Sequence, residues 1–222
     1  MSTIRLFCGF DQREAIGHAV FSESVIEHAS APVSITPLGH RGLPQGTNAF
    51  TYSRFLVPYL CDREGWAIFM DGADMLILAD IAEMETLFDP SKAVQVVQHP
   101  NYETRNPIKY RGTGMECPNR NYARKNWASV MLFNCEHPYW LRWRPGTLAN
   151  VQGVDPLQFA GLADDQIGSL PDCWNRIVDE GHSVEGAKVL HWTAGIPAFP
   201  EYAGAPGADL WFATRDRLLE VV

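Results

Sequence analysis

This chain of 222 residues is short of the features that most readily betray a function. No apolar run approaches the eighteen or so residues that would span a bilayer, and the first residues show no basic-then-apolar leader. Cysteine is sparse: Cys8, Cys61, Cys117, Cys135 and Cys173 are scattered, odd in number and form no CxxC pair. That pattern gives neither a zinc knuckle nor a disulfide framework, and the expectation is a protein of the reducing cytoplasm. Positive charge is also scarce, with 18 Lys and Arg against 26 Asp and Glu, a net charge of −8. Nucleic acid is thereby excluded as a general partner, because phosphate backbones need a basic surface. There is no internal repeat, no low-complexity tract and no glycine-dense phosphate loop after the first apolar run.

What remains is a globular composition. Apolar residues make up 46% and charged residues 20%, values that suit one α/β domain over residues 1–222. Strands are expected at Ile4–Phe7, Val33–Thr36, Trp66–Met70, Ala93–Gln98, Val130–Phe133 and Lys188–His191. Helices are expected over Ala15–Ala29, Tyr52–Leu60 (short or kinked by Pro58), Ile81–Leu87 and Asp209–Glu220. Asp11-Gln12-Arg13-Glu14 reads as a capping box. Pro37–Asn48, with three glycines and two prolines, reads as a loop. His99–Lys125 has no periodicity, collects Arg105, Lys109, Arg111, Arg120, Arg124 and Lys125, and is either functional or mobile. Alternating strands and helices predict a mostly parallel, doubly wound sheet, in which ligands sit beyond the carboxyl ends of the strands.

One segment stands out. In AIFMDGADMLILAD an apolar strand ends in two carboxylates, Asp71 and Asp74, before a second apolar run begins at Met75. Two acids at a strand tip suit a hard divalent cation, which takes carboxylates and completes its shell with substrate phosphates. A surface turn built on Asp71 and Gly72 is the plain alternative. Asp11 and His191 also fall at expected strand ends, which favours a shared site.

These residues together resemble the GT-A fold nucleotide-sugar glycosyltransferases, in particular the glycogenin-like family 8. GFDQREAIGHAVFSESVIEHA (Gly9–Ala29) resembles the opening strand-to-helix loop that contacts the nucleotide. YSRFLVPYL (Tyr52–Leu60) is similar to the Tyr-X-Arg helix, IFMDGADMLIL to the Asp-X-Asp metal loop, and VLHWTAGIPAF (Val189–Phe199) to the His-X-X-Gly stretch. ADDQIGSLPDCWN (Ala163–Asn175) is a weaker match to the donor-sugar segment. The resemblance implies a Rossmann-like GT-A domain and a UDP-sugar donor, with retention of configuration. Asp71, Asp74 and His191 would hold Mn²⁺ or Mg²⁺, and Gly9, Phe10, Asp11, Arg54, Asp71 and Gly195 would bind the donor. Arg54, Asp165 and Gln166 would act on the sugar-phosphate. The acceptor, whether carbohydrate, lipid-linked or protein, has no readable code.

The chain also departs from the family. Two residues, not one, separate the acids of the metal loop, so the backbone must bulge for both to reach one ion. No lysine follows His-X-X-Gly, since Ile196-Pro197-Ala198 stands there, and Trp127-Ala128-Ser129 replaces the family's Asn-Ser-Gly. Each residue also has a structural reading: Asp11 as an N-cap, Arg54 as an ion-pair partner of Asp71 or Asp74, and His191 as packing beside Trp192. Asp164 and Asp165 would likewise oppose a helix dipole, and Trp127, Trp140, Trp143 and Trp174 would serve as core or as a sugar platform. Rival functions are a sugar-phosphate nucleotidyltransferase, a non-catalytic nucleotide- or carbohydrate-binding protein, and a haloacid-dehalogenase-type phosphatase.

Overall fold

A computed structural model describes residues 3–39, 42–44 and 46–220; His40, Arg41 and Gln45 of the expected 37–48 loop lie outside the described residues. Its strands are β1 (Ile4–Gly9), β2 (Val33–Leu38), β3 (Trp66–Met70), β4 (Met75–Ile77), β5 (Val94–Val97), β6 (Ile108–Lys109), β7 (Cys117–Pro118), β8 (Val130–Asn134), β9 (Ile167–Leu170), β10 (Arg176–Ile177) and β11 (Val189–His191). The α-helices are α1 (Ala15–His28), α2 (Val57–Leu60), α3 (Pro145–Leu148) and α4 (Ala208–Glu220), with short 3-10 turns between elements.

Six strands form the main sheet in the order β2-β1-β3-β8-β5-β9. Every neighbour is parallel except β8, which runs against both β3 and β5. The period-two alternation of strand side chains fills two layers. Phe7, Ala67, Phe69, Met131 and Phe133 face one core, and Leu6, Cys8, Ile68, Met70, Val130 and Leu132 face the other. Burial on both faces explains why β3 and β8 read as unbroken apolar runs. Helix α1 covers the second layer with Phe21 and Val25, and α4 lies against it, joined by the ion pair Arg217–Glu27 at 2.6 Å.

Several expectations change in the structure. Tyr52–Leu60 is a 3-10 turn over Ser53–Leu56 that runs into α2, with Pro58 in the first turn, where its missing N–H costs nothing. Ile81–Leu87 is a 3-10 helix capped by Asp80, whose side chain accepts from the Ala82 amide. Strand β9 lies inside the segment matched to donor-sugar binding. Its Gly168 and Ser169 carry little strand propensity, yet a Cβ at Gly168 would lie 2.5 Å from Gln95 Cγ, so the neighbouring strand needs glycine there. The tryptophans form no platform: Trp140 and Trp174 are fully buried, and Trp127 and Trp143 pack against the first core layer. Among the described residues no helix is long and apolar enough to cross a membrane.

A smaller sheet, in the order β10-β11-β4, grows from the strand that follows the acidic loop. Strand β11 runs antiparallel to β4 and sets His191 opposite Met75. The 99–125 stretch contains the β6–β7 hairpin.

Candidate metal and donor site

The acidic loop owes its shape to glycine and to two backbone anchors. The Asp71 amide donates to the Ser129 carbonyl at 2.9 Å, which holds the end of β3 against the start of β8. Gly72 then turns at φ +91° and Met75 N–H closes the turn on the Gly72 carbonyl at 2.8 Å. A Cβ at Gly72 would meet Cys8 Cβ and the Gly9 carbonyl at 3.1 Å each, so left-handed backbone and close packing both ask for glycine. This turn absorbs the extra residue of Asp-X-X-Asp. The Trp192 amide donates to the Asp74 carbonyl at 2.9 Å, extending the β4–β11 register into the loop. That register delivers His191. Its Nε2 lies 3.3 Å from Asp74 Oδ2 and 4.0 Å from Asp71 Oδ2. Ligand atoms of Asp71, Asp74 and His191 all lie within 4.8 Å of one another.

The charges are almost closed off from solvent. Asp71, Asp74 and His191 are 8%, 4% and 1% exposed, so their interactions are little screened. Burial pushes the Asp71 carboxyl above its ordinary range, more than the Arg54 charge pulls it down. Burial pushes Asp74 upward too, but the charge of His191 and its hydrogen bond outweigh it and the net shift is downward. His191 responds in kind: burial opposes its charge, and Asp74 then Asp71 raise it overall. Each member of that pair thus stabilises the charged form of the other.

Two observations fit a divalent ion. The Oδ1 atom of Asp74 is buried without a hydrogen-bond donor, while Asp71 Oδ1 meets only the Arg54 guanidinium, Nη1 lying 2.7 Å away. Asn175 supplies the second. Its Nδ2 faces His99 Nε2 at 3.2 Å and the Asn126 carbonyl at 3.5 Å, so that side of the amide donates. Its Oδ1 accordingly accepts from His191 Nδ1–H at 2.8 Å. The Nε2 of His191 is left as the atom that can give up a proton and ligate, the usual outer arrangement of a metal-bound histidine.

The remaining expected residues fall into two groups. Gly9 borders the loop: it ends β1, its backbone meets Gly72, and its own Cβ position is filled by the Phe50 ring. Asp11 caps the turn into α1, accepting from the Arg13 amide at 3.0 Å and the Ala49 amide at 3.1 Å, and from the Arg13 guanidinium at 2.9 and 2.6 Å. Phe10 is half-buried with its ring edge-on to His18. Gly195 is buried, with the Tyr202 ring 2.5 Å from its Cβ position. Arg54 is at the centre: besides Asp71 it donates to the Thr51 and Ala128 carbonyls at 3.0 and 2.6 Å, between the rings of Phe50 and Phe69.

Asp165 and Gln166 require a correction. They precede β9, whose Ile167 pairs with Val94, level with Ala67 near the start of β3. The acids follow the other end of β3, so these two residues sit toward the opposite rim, with the Asp165 carbonyl bound to Lys92 Nζ at 2.9 Å. A sequence match cannot register that β9 starts there. The capping box is corrected as well: Glu14 does not reach back to Asp11 but is 1% exposed with Oε1 unpartnered. Burial, then Asp74 and Asp11, raise its pKa well above the ordinary range. Asn175 and His99, the orienting pair, carried no signal of their own because their meaning depends on a contact across 76 residues.

A cleft of about 80 Å³ opens over Asp71 and Asp74, lined also by Thr51, Arg54, Lys109 and Asn126. The fold that carries this cleft is similar to that of several solved glycosyltransferases. The galactosyltransferase LgtC, solved with donor and acceptor sugar analogs, superposes at a TM-score of 0.65 with 13% identity over 96% of both chains. The bifunctional glycosyltransferase WbbM superposes at 0.66 with 16% identity, over 96% of this chain and 50% of its own. GlyE of Streptococcus pneumoniae TIGR4 gives 0.62 with 12% identity, over 96% and 60% respectively. This chain thus spans half of WbbM and 60% of GlyE, and at these identities the likeness is one of fold. No protein-family model matches the sequence. Protein CDI of Arabidopsis thaliana is 36% identical over 225 residues, covering 93% of this chain and 84% of that protein. The chain belongs to the family of Protein CDI.

Proposed function

We propose that this protein is a metal-dependent glycosyltransferase that moves a sugar from a nucleoside diphosphate donor, UDP-sugar by its resemblance to family 8, to an acceptor. The observation that carries the reading is the buried cluster of Asp71, Asp74 and His191, whose ligand atoms lie within 4.8 Å of one another while the other imidazole nitrogen is already committed to Asn175. Oxygen ligands with one borderline nitrogen suit Mn²⁺ or Mg²⁺. When bound, such an ion supplies Lewis-acid stabilisation of the departing diphosphate.

The residues divide the remaining work. Asp71 and Asp74 would hold the ion beyond the end of β3, and His191 would complete the set from β11. Arg54, locked by two carbonyls and two rings, presents a charge that needs no reorganisation as negative charge builds on the leaving group. Asp11 and Gly9, at the end of β1, would meet the nucleotide, as the resemblance to family 8 implies. The resemblance implies retention of anomeric configuration.

The deciding experiment is a screen of nucleotide-sugars for metal-dependent donor hydrolysis, paired with calorimetry of UDP. One donor class should be hydrolysed with Mn²⁺ or Mg²⁺ and not with chelator, and Asp74→Asn should abolish UDP binding. Equal UDP affinity with and without chelator would refute the metal-bridged donor. Arg54→Ala should slow hydrolysis far more than it weakens UDP; an unchanged rate would remove Arg54 from the chemistry.

A further inference from the structure

Beside the cleft over Asp71 and Asp74 lies a second chamber of about 220 Å³. The two share Thr47, Lys109, Tyr122, Asn126 and Leu157 in their linings, so they are adjacent. They differ in chemistry. Asp71, Asp74 and Arg54 line only the first, whereas Arg120 and Lys125 line only the second. Three cations, Lys109, Arg120 and Lys125, border the second chamber and no carboxylate does. In a chain of net charge −8 such a concentration is far from the average surface.

These cations are not used up by the fold. Among the described residues neither Lys109 nor Arg120 has a side-chain hydrogen bond or ion pair. Lys125 is 4% exposed, and its ammonium is held by neutral oxygens only, Asn119 Oδ1 at 2.5 Å and the Arg120 carbonyl at 2.9 Å. A buried ammonium without an ion pair is costly; here a second lysine stands near it, and the more distant Glu180 carboxylate offsets only part of the cost. Burial, with Lys109 adding to it, lowers the Lys125 pKa to about 8. An incoming anion would relieve that cost and gain charge-assisted hydrogen bonds. Tyr122 adds an aromatic wall between the chambers.

We propose that this chamber is the acceptor subsite, and that the acceptor carries a phosphate or carboxylate group which Lys109, Arg120 and Lys125 hold while its nucleophile faces the cleft over Asp71 and Asp74. The inference rests on the glycosyltransferase reading for the word acceptor, but the anion site itself does not. The transfer is balanced: the acceptor hydroxyl oxygen forms the new bond to the sugar, the bond from sugar to diphosphate breaks, and the hydroxyl proton leaves with the diphosphate or to solvent.

Inorganic phosphate is the probe, titrated by calorimetry into the protein with Mg²⁺ and saturating UDP, and separately into the protein alone. Saturable phosphate binding should persist with UDP bound and should weaken by about tenfold or more in Arg120→Ala, as expected for a lost charge-assisted contact. Arg120 is exposed, so this variant leaves the packing alone. Phosphate that UDP displaces one for one, phosphate that does not bind, or equal binding by Arg120→Ala would each overturn the site. With the donor fixed by the hydrolysis screen, transfer to phosphorylated sugars should exceed transfer to their neutral parents; equal rates would overturn the acceptor assignment. If UDP fails to bind at all, the enzymatic reading is what falls, and phosphate titration of the protein alone still decides the chamber.

Discussion

At the scale of single residues, the site depends on side chains that orient others. Asn175 touches no expected substrate atom, yet it determines which imidazole nitrogen of His191 faces the carboxylates. Asn175→Leu should keep the fold and weaken Mn²⁺ binding by roughly 10- to 100-fold, the usual cost of losing an outer-shell partner. Titration calorimetry with Mn²⁺ alone reads this, and unchanged affinity would show that His191 needs no such partner. Asp179 is a second case. Its carboxylate accepts from the Ala194 amide at 2.6 Å, just beyond the His191 strand, and burial raises its pKa to about 6. A raised carboxyl pKa means that the folded state binds the proton more tightly than the unfolded chain. The corresponding stability is therefore complete below about pH 4 and lost as pH rises through about 6. A shift of about two units corresponds to roughly 3 kcal/mol. Relative to the native protein, Asp179→Asn should gain stability by up to that amount between pH 4 and 7. Parallel stability curves in denaturant at the two pH values would refute the assignment.

At the scale of elements, the turn between β3 and β4 is the decisive piece. Its Gly72 combines φ +91° with contacts at 3.1 Å that any side chain would violate. Gly72→Ala should cost on the order of 1–2 kcal/mol from the backbone alone, with further loss from the clash, and should weaken Mn²⁺ binding by separating the two carboxylates. Gly72→Asn tolerates the backbone but keeps the Cβ, so it should recover little. Denaturant unfolding and calorimetry on both variants check this; full recovery by Asn would make φ the whole cause. Most elements were legible in the sequence because both faces of the main sheet are buried. Trp66–Met70 and Val130–Phe133 announce themselves as apolar runs, and α1 by its spacing. Strand β9 and the 3-10 turns were not, since Gly168, Ser169 and short turns obtain their conformation from neighbouring strands and not from local preference.

At the scale of the molecule, the basic 99–125 stretch is tied down and not a loose flap. Glu180 accepts from the Thr104 hydroxyl and the Arg105 amide at 2.5 Å each, Asn106 donates to the Asp179 carbonyl at 2.9 Å, and the Tyr110 amide donates to the Ala194 carbonyl at 2.6 Å. The stretch thus connects the His191 region to the cationic chamber. Glu180→Ala should speed tryptic cleavage near Arg105 while shifting the melting temperature little, and nucleotide-diphosphate should restore part of the protection. Identical cleavage of variant and native protein would show that other contacts hold the stretch. The sequence by itself determined the fold class and set Asp71 and Asp74 at a strand end, because apolar periodicity and acids at a strand end are local properties of the chain; His191 became a candidate ligand only through the resemblance of its segment to family 8. Tertiary structure alone decided that Asp165 and Gln166 face away, that Asn175 and His99 serve His191, and that Arg54 meets Asp71. Those facts arise from strand register and from the cost of burying charge without a partner, which no local stretch of residues encodes.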